Sequence, residues 1–139
     1  MSYLFDTCVV SQLRKSVPEN VKTWFESKEQ HLFYISVVTI AELLDGIERL
    51  PDSKKKKDLE DWFYGDIHSR FKDRILPIND HVAKEWAYLN SSLQRRGICV
   101  GVQDLYIAAT AKAQGFALIT LNTKDFQQID IPLINPWAA

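Results

Sequence analysis

Five acidic or amide side chains follow the apolar segments of this sequence. Asp6 comes directly after the first apolar run, Glu42 lies about two helical turns beyond the second, and Asp104 stands at the start of an alanine-rich segment. Asn122 and Asp125 follow a further apolar run. Carboxylates that are brought together repel one another and lose hydration unless a cation or a proton balances them. If these segments converge in the fold, the pattern predicts a site for a divalent cation.

Oxygen donors dominate this set, and no cluster of His or Cys with ligand spacing accompanies it. The histidines, His31, His68 and His81, fall on unrelated segments. Such a donor set favours Mg²⁺, with Mn²⁺ as the alternative, over zinc. Mg²⁺ held by a few carboxylates keeps several waters, and one such water can attack a phosphate whose oxygens the ion polarises. We therefore predict metal-assisted hydrolysis of phosphodiester bonds.

Each of these residues, taken alone, also has a structural interpretation. Asp6, Asp104 and Asn122 are of the residue types that cap the N-termini of helices. Glu42 could be a solvated residue on the flank of its helix, although its apolar neighbours leave little solvated face. Asp125 could cap a short helix near the end of the chain. Only the joint pattern favours a metal site over these alternatives.

Short apolar runs alternate with helical patterns along the chain. The runs predict strands at 3–5, 32–35, 75–78 and 117–120, with a fifth at 132–134. Apolar periodicity predicts helices over 18–28, 37–50, 53–72, 82–96 and 104–115. This alternation indicates an α/β domain with a mainly parallel sheet, because parallel neighbours need a crossover connection that a helix can supply. Residues beyond the carboxyl ends of parallel strands share one edge, so we expect the five polar residues to meet there.

Length, charge and composition limit the classes of protein. A chain of 139 residues with 46% hydrophobic and 25% charged residues is typical of one soluble globular domain. The net charge is −1, so phosphate contacts would need local patches, for which the candidates are Arg14-Lys15, residues 54–57 and Arg95-Arg96. There is no export signal, no disulfide framework and no run of the ~20 apolar residues that a membrane span needs. We predict a cytoplasmic protein without membrane contact.

The motifs around these residues resemble those of the PIN-domain ribonucleases, and more closely the VapC-type toxins of bacterial type II toxin–antitoxin pairs. YLFDTCVVSQL resembles the first motif of the family, with Asp6, and SVVTIAELLDGIERLP resembles the second, with Glu42. The third and fourth motifs are similar to GVQDLYIAATAKAQGFALITLNTKDF, in which the matching positions are Asp104, Thr120, Asn122 and Asp125. IPLINPW resembles a common ending of the subgroup.

The resemblance implies a single PIN domain over residues 1–139, an α/β fold whose mainly parallel central sheet has strand order 3-2-1-4-5 and is flanked by helices. It implies an endoribonuclease that depends on Mg²⁺ or Mn²⁺, with Asp6 and Asp104 as metal ligands and Glu42, Asn122 and Asp125 completing the catalytic set. It also implies an RNA substrate, with tRNA among the candidates, a homodimer, and inhibition by a VapB-type antitoxin. DNA would be contacted only through that antitoxin.

Three positions depart from the usual pattern of this family. Cys8 stands where Asn is common, and Leu121 stands where Arg is common, which removes a cation near the site. Asn122 occupies a place where many relatives carry Asp, so Asp125 is the other candidate for the fourth site residue.

Two other functional classes remain as alternatives. One is a catalytically weak or inactive PIN-like binding module. The three retained carboxylates argue against this alternative. The other is a phosphoacceptor receiver domain, which needs an acidic pair after the first strand and a Lys after the fifth. Here the first strand ends in Asp6 followed by Thr7, and the chain ends in INPWAA.

Aromatic residues recur at helical spacing in the predicted helices. We interpret Trp24, Trp62, Phe63 and Trp86 as core or partner-facing residues. If Trp24, Phe25, Trp62 and Phe63 line a groove between the helices at 18–28 and 53–72, an amphipathic segment of an antitoxin could bind there through its apolar face.

Overall fold

The computed structural model describes residues 1–138, which contain one five-stranded sheet. Its strands lie in the order β3-β2-β1-β4-β5, and every neighbouring pair is parallel. The strands are β1 (Tyr3–Phe5), β2 (Phe33–Ser36), β3 (Ile75–Leu76), β4 (Ala117–Ile119) and β5 (Leu133–Ile134). This topology confirms the predicted fold class and strand order.

Helices supply the crossovers that parallel neighbours need. Within the described residues these are α1 (Thr7–Leu13), α2 (Glu19–Glu26), α3 (Val37–Glu48), α4 (Lys54–Trp62), α5 (Asp80–Arg95), α6 (Val102–Gln114) and α7 (Thr123–Phe126). Residues Gln30–Leu32 and Pro136–Ala138 form 3₁₀ turns, and Phe63–His68 form a π-helical segment. None of the helices in residues 1–138 has the length and apolar character needed to cross a membrane.

The central strands are buried on both faces of the sheet. Side chains alternate between the two faces along a strand, so Tyr3 and Phe5 face one side and Leu4 faces the other. On the first side they pack with Phe33, Ile35 and the side chains of α1, α3 and the π-helical segment. Leu4 packs with residues of α5 and α6 on the other side. The carboxyl ends of the strands therefore lie at one edge between two layers of helices.

The region predicted as one long helix over 53–72 changes its winding at Phe63. Phe63, Ile67 and Phe71 recur every four residues and are all at most 3% exposed. Residues at i, i+4 and i+8 lie on one face of an α-helix, so the sequence pattern predicts this buried face without requiring the wider winding. The π-helical turns of Phe63–His68 are a departure from the predicted α-helix.

Helix α6 is the most deeply packed helix of the fold, and it carries Asp104. Its alanine-rich sequence lets it approach the sheet closely, and it has buried side chains from Leu105 to Ala111. It ends at Gly115, which adopts a left-handed conformation with φ of +71° and donates its N–H to carbonyls of the last turn. The predicted end of this helix is confirmed, whereas its start lies two residues earlier than expected, at Val102.

Candidate active site

Asp6 lies at the carboxyl end of β1 and is buried, with 4% of its surface exposed. Its N–H donates to the carbonyl of Ile119 at 2.9 Å, which extends the pairing of β1 with β4 by one residue. Its Oδ1 accepts the N–H of Thr7 at 2.8 Å, so Asp6 caps α1. Its Oδ2 accepts the hydroxyl of Thr120 at 2.8 Å. The cap thus uses only one of the two carboxylate oxygens, and the other is bound to the end of β4.

Thr120 and Asn122 bring the end of β4 to the same place. The fully buried Thr120 hydroxyl donates to Asp6 and accepts the N–H of Asn122 at 3.0 Å. Asn122 itself is exposed, and although it occupies the N-cap position of α7, its side chain makes no capping hydrogen bond. The cap interpretation of Asn122 is therefore wrong.

Glu42 is held at the site by two threonines. The Thr7 hydroxyl donates to Oε1 of Glu42 at 2.8 Å and lies 2.9 Å from the hydroxyl of Thr39. Because the single proton of Thr7 is used by Glu42, Thr39 donates to Thr7. These two hydrogen bonds, from Thr39 to Thr7 and from Thr7 to Glu42, link α3 to the start of α1, next to Asp6. Glu42 is half-buried, not a fully solvated residue on the helix flank.

Asp104 reaches the site from the first turn of α6. The N-cap of this helix is Gly101, so Asp104 is not the cap, and the cap interpretation is wrong for this residue also. Burial raises the pKa of Asp104, and the negative charges of Asp6, Glu42 and Asp125 raise it further. The acids of four separate segments thus lie close enough to act on one another electrostatically.

No cation of the protein balances this group in the part of the chain that the structure describes. The ion pairs of residues 1–138 involve other acids. Over the same residues, no three His, Cys, Asp or Glu side chains form a group that could by themselves hold a metal ion. The arrangement fits an ion with few protein ligands and several waters, as Mg²⁺ prefers, and not a closed zinc centre.

The profile of the PIN domain matches residues 3–132, which is nearly the whole chain. The chain belongs to the PIN-domain family. Within the family it is a VapC-type toxin of a toxin–antitoxin system. It is 32% identical over 135 residues to the VapC ribonuclease Y4jK of Sinorhizobium fredii, covering 96% of each chain. It is 36% identical over 135 residues to toxin FitB of Neisseria gonorrhoeae, covering 96% of this chain and 97% of FitB.

A solved structure of the same fold extends this likeness. The crystal structure of FitAcB from Neisseria gonorrhoeae superposes on this PIN domain with a TM-score of 0.89, at 35% identity and over 99% of both chains. The roles assigned to Asp6, Glu42, Asp104, Asn122 and Asp125 in this PIN domain stay predictions.

Cys8 takes part in the site of this PIN domain as a hydrogen-bond donor. Its Sγ lies 3.3 Å from Oδ2 of Asp6. Burial, together with the negative charge of Asp6, raises the pKa of the Cys8 thiol to about 11. At neutral pH the thiol therefore keeps its proton and donates it in a hydrogen bond to Asp6. The site keeps its oxygen-donor character in spite of the cysteine.

The two threonines that hold Glu42 were not identified as site residues from the sequence. Thr39 stands three residues before Glu42 on α3, and residues at this spacing share a face of a helix. A threonine among apolar residues, at this spacing from Glu42, is the sequence feature that could have identified Thr39 as a site residue. Thr7 directly follows Asp6, and its pairing with Glu42 depends on contacts between residues 35 positions apart.

The fourth site residue can be decided by comparing two variants. We expect Asp125→Asn to reduce RNA cleavage about tenfold or more, because its charge acts on Asp104 and one lost charge interaction of ~1.4 kcal/mol is tenfold in rate. Asn122→Ala should change the rate less than threefold or so, since its side chain is exposed and carries no charge. Single-turnover cleavage rates of the two variants test this, and the reverse order would assign the role to Asn122.

Proposed function

We propose that this protein is a Mg²⁺-dependent endoribonuclease toxin that hydrolyses phosphodiester bonds of RNA and is neutralised by a cognate VapB-type antitoxin. Mn²⁺ is the alternative ion, and the cytoplasm is the proposed place of action. The names of the relatives support a ribonuclease, and the family supports an antitoxin partner. These likenesses do not extend to four further parts of the proposal, which are the ion, the RNA target, the homodimer and contact with DNA through the antitoxin.

One observation carries the proposal: the carboxyl edge of the sheet holds a group of acids without a basic partner in residues 1–138. Asp6, Glu42 and Asp125 are close enough to raise the pKa of Asp104. Mutual repulsion among these carboxylates does not stabilise the fold. We therefore infer that the cluster binds a cation that balances their charges. Hard oxygen donors suit Mg²⁺ or Mn²⁺.

Asp6 and Asp104 are the residues that would hold the ion. When bound, Mg²⁺ would polarise the scissile phosphate and lower the pKa of a bound water so that it becomes a nucleophile at neutral pH. Thr7 donates to Oδ1 of Asp6, whereas Thr120 and Cys8 both donate to Oδ2, and together they fix the carboxylate. Oδ1 therefore keeps a second lone pair for a ligand.

Glu42 is the proposed acceptor of the proton from the attacking water. The Thr7 hydroxyl occupies Oε1, and in the described residues no hydrogen bond is made to Oε2. Oε2 is therefore the atom available to take the proton. Thr39 and Thr7 keep the side chain aimed at the cluster and limit its rotamers.

An aromatic cleft supplies a docking surface for the proposed antitoxin. A cavity of about 460 Å³ lies between α2 and residues 70–74, and Phe5, Phe25, Phe33 and Phe71 are part of its lining. Lys22, Lys28 and Arg70 stand at the same cleft and would attract acidic residues of the partner. An amphipathic segment with an apolar side chain to insert fits this surface.

The groove predicted from the sequence differs from this cleft. Phe25 lines the cleft, whereas Trp62 lines another pocket. Trp24 packs edge-on against Tyr3 at 5.5 Å and against Phe25 at 5.1 Å, and Phe63 is buried in the core. The four aromatic residues therefore do not line one common groove, because Phe63 is buried and Phe25 and Trp62 line different pockets.

The proposal is tested by incubating the purified protein with total RNA. We expect cleavage in the presence of Mg²⁺ or Mn²⁺, no cleavage after treatment with EDTA, and recovery when the ion is restored. Cleavage that survives EDTA would contradict the metal dependence. A well-folded protein that binds RNA but never cuts it with either ion would instead support the inactive binding module.

A further inference from the structure

A cationic pocket lies between the end of α1 and the start of α4. Its volume is about 470 Å³, and it is lined by Arg14, Lys54, Lys55, Asp58, Leu59 and Trp62. Three of these side chains are cations and one is an acid, so the pocket carries a net positive charge. None of its lining residues is shared with the aromatic cleft.

The lysine run of residues 54–57 divides into two pairs with different surroundings. Lys56 is bound within the protein, because its Nζ lies 3.5 Å from Glu48 and 3.6 Å from Asp52. Lys57 pairs with an acid one turn further along the helix, at 3.8 Å. Lys54 and Lys55 make no ion pair in residues 1–138, and these are the two that line the pocket. Their charges remain available to a ligand.

Arg14 is brought to these lysines from a distant part of the sequence. Its guanidinium lies over the ring of Trp62, 6.0 Å from the ring centroid, and it makes no ion pair in the described part of the chain. A cation over an indole face is attracted by the ring, so Trp62 positions Arg14 at the pocket. Lys54 and Lys55 also stand in the first turn of α4, where the helix dipole adds positive potential.

The pocket is connected to the acidic cluster by a single short helix. Asp6 caps the start of α1 and Arg14 caps its end. Seven helical residues at 1.5 Å each span about 10 Å. Phosphates follow one another at about 3.4 Å along one strand of a duplex, so a strand lying over Asp6 reaches Arg14 within a few nucleotides.

We propose that this pocket binds the phosphodiester backbone of the substrate RNA a few nucleotides from the scissile bond. The inference rests on the proposed ribonuclease function and adds the contact that holds the strand. A protein with a net charge of −1 and an acidic catalytic cluster repels a polyanion, so binding must come from local cations. Arg14, Lys54 and Lys55 are cations without an internal partner that the fold brings together beside that cluster.

The test measures binding without cleavage. A fluorescein-labelled single-stranded RNA of twelve nucleotides is titrated with the full-length protein in EDTA, and fluorescence anisotropy is followed at several salt concentrations. For Lys54→Gln/Lys55→Gln we expect the slope of log K against log salt to fall by about 1.4, which is ~0.7 for each lost phosphate contact. At 0.1 M salt this corresponds to about 25-fold weaker binding.

A control with the same change in net charge is Lys57→Gln/Lys72→Gln. Both of these lysines are exposed, and neither is among the residues that line the pocket. The control should bind RNA within about twofold of the parent, since Lys57 is paired with Asp61 and neither lysine lines the pocket. Equal losses in the two double variants would overturn the proposal, because they would show an effect of total charge alone.

Cleavage and antitoxin binding separate this inference from the proposed function. With Mg²⁺ present, Lys54→Gln/Lys55→Gln should raise KM and leave kcat unchanged. A parent protein that binds RNA through this pocket but does not cut it would refute the nuclease and leave the pocket supported. A parent protein that cuts RNA while the pocket variant binds as tightly as the parent would refute the pocket alone. Loss of antitoxin affinity with unchanged RNA affinity would likewise overturn it, in favour of a protein partner.

Discussion

Asp104→Asn is expected to reduce RNA cleavage by about three orders of magnitude while the domain stays folded. The substitution keeps the shape of the side chain and removes one negative charge from the proposed metal ligands. Lost Lewis-acid and water-activating effects are worth several kcal/mol, and ~1.4 kcal/mol is tenfold in rate. Single-turnover cleavage at saturating Mg²⁺ measures the loss.

Stability should move in the opposite direction from activity in this variant. Asp104 makes no capping bond, and its charge is opposed by burial and by Asp6, Glu42 and Asp125. Removing that charge relieves the repulsion, so the melting temperature in EDTA should hold or rise. A fall in melting temperature would indicate that Asp104 has a structural role instead.

Asp80→Asn is the matched control for this experiment. Asp80 also lies in the first turn of a helix, α5, and is exposed. It pairs with Lys84 at 2.9 Å on the protein surface, an arrangement worth about 1 kcal/mol at most. The control should cut RNA at the parental rate. If Asp104→Asn also folds normally, binds Mn²⁺ as the parent does and cuts at the parental rate, the assignment of Asp104 is refuted.

Local patterns in the sequence were sufficient to predict the strands and the convergence of the acids. Strand β1 was predicted with its observed limits, and the other four were predicted within two residues of theirs. The place of Asp6 at the carboxyl edge follows from the parallel arrangement alone, because carboxyl ends of parallel strands share one edge. Asp104 starts a helix that follows another helix, so its place does not follow from that rule alone. The strand order came from resemblance to the family, since local patterns do not specify which strands pair.

Other features depend on contacts that a linear pattern does not encode. The hydrogen bond from Thr7 to Glu42 and the one from Thr120 to Asp6 join residues 35 and 114 positions apart. The cap role of Asp6 does not exclude its predicted role in the site, because its two oxygens face different donors. The pairing of Lys56 also depends in part on such a contact, because Glu48 lies on the neighbouring helix α3.

Asp6→Asn is expected to lower cleavage about as much as Asp104→Asn, but with a loss of stability. The hydroxyl of Thr120 and the thiol of Cys8 both donate to Oδ2 of Asp6. If an amide nitrogen takes the place of this oxygen, two donors lose their acceptor in a buried setting, at a cost of about 1–3 kcal/mol. Thermal unfolding in EDTA should therefore separate the two variants, although both remove one charge from the same cluster.

The double variant Asp6→Asn/Asp104→Asn tests whether the two carboxylates act on one ion. If they do, either single substitution already disables the site, and the double variant should cut RNA within about tenfold of the slower single variant. If the two residues act independently, their effects should multiply, and a further loss of about three orders of magnitude is expected. Single-turnover rates at high enzyme concentration, with Mn²⁺ as well as Mg²⁺, cover the range needed to tell these results apart. Independent losses would contradict a shared ion even if both residues proved essential, because ligands of one ion lose their function together.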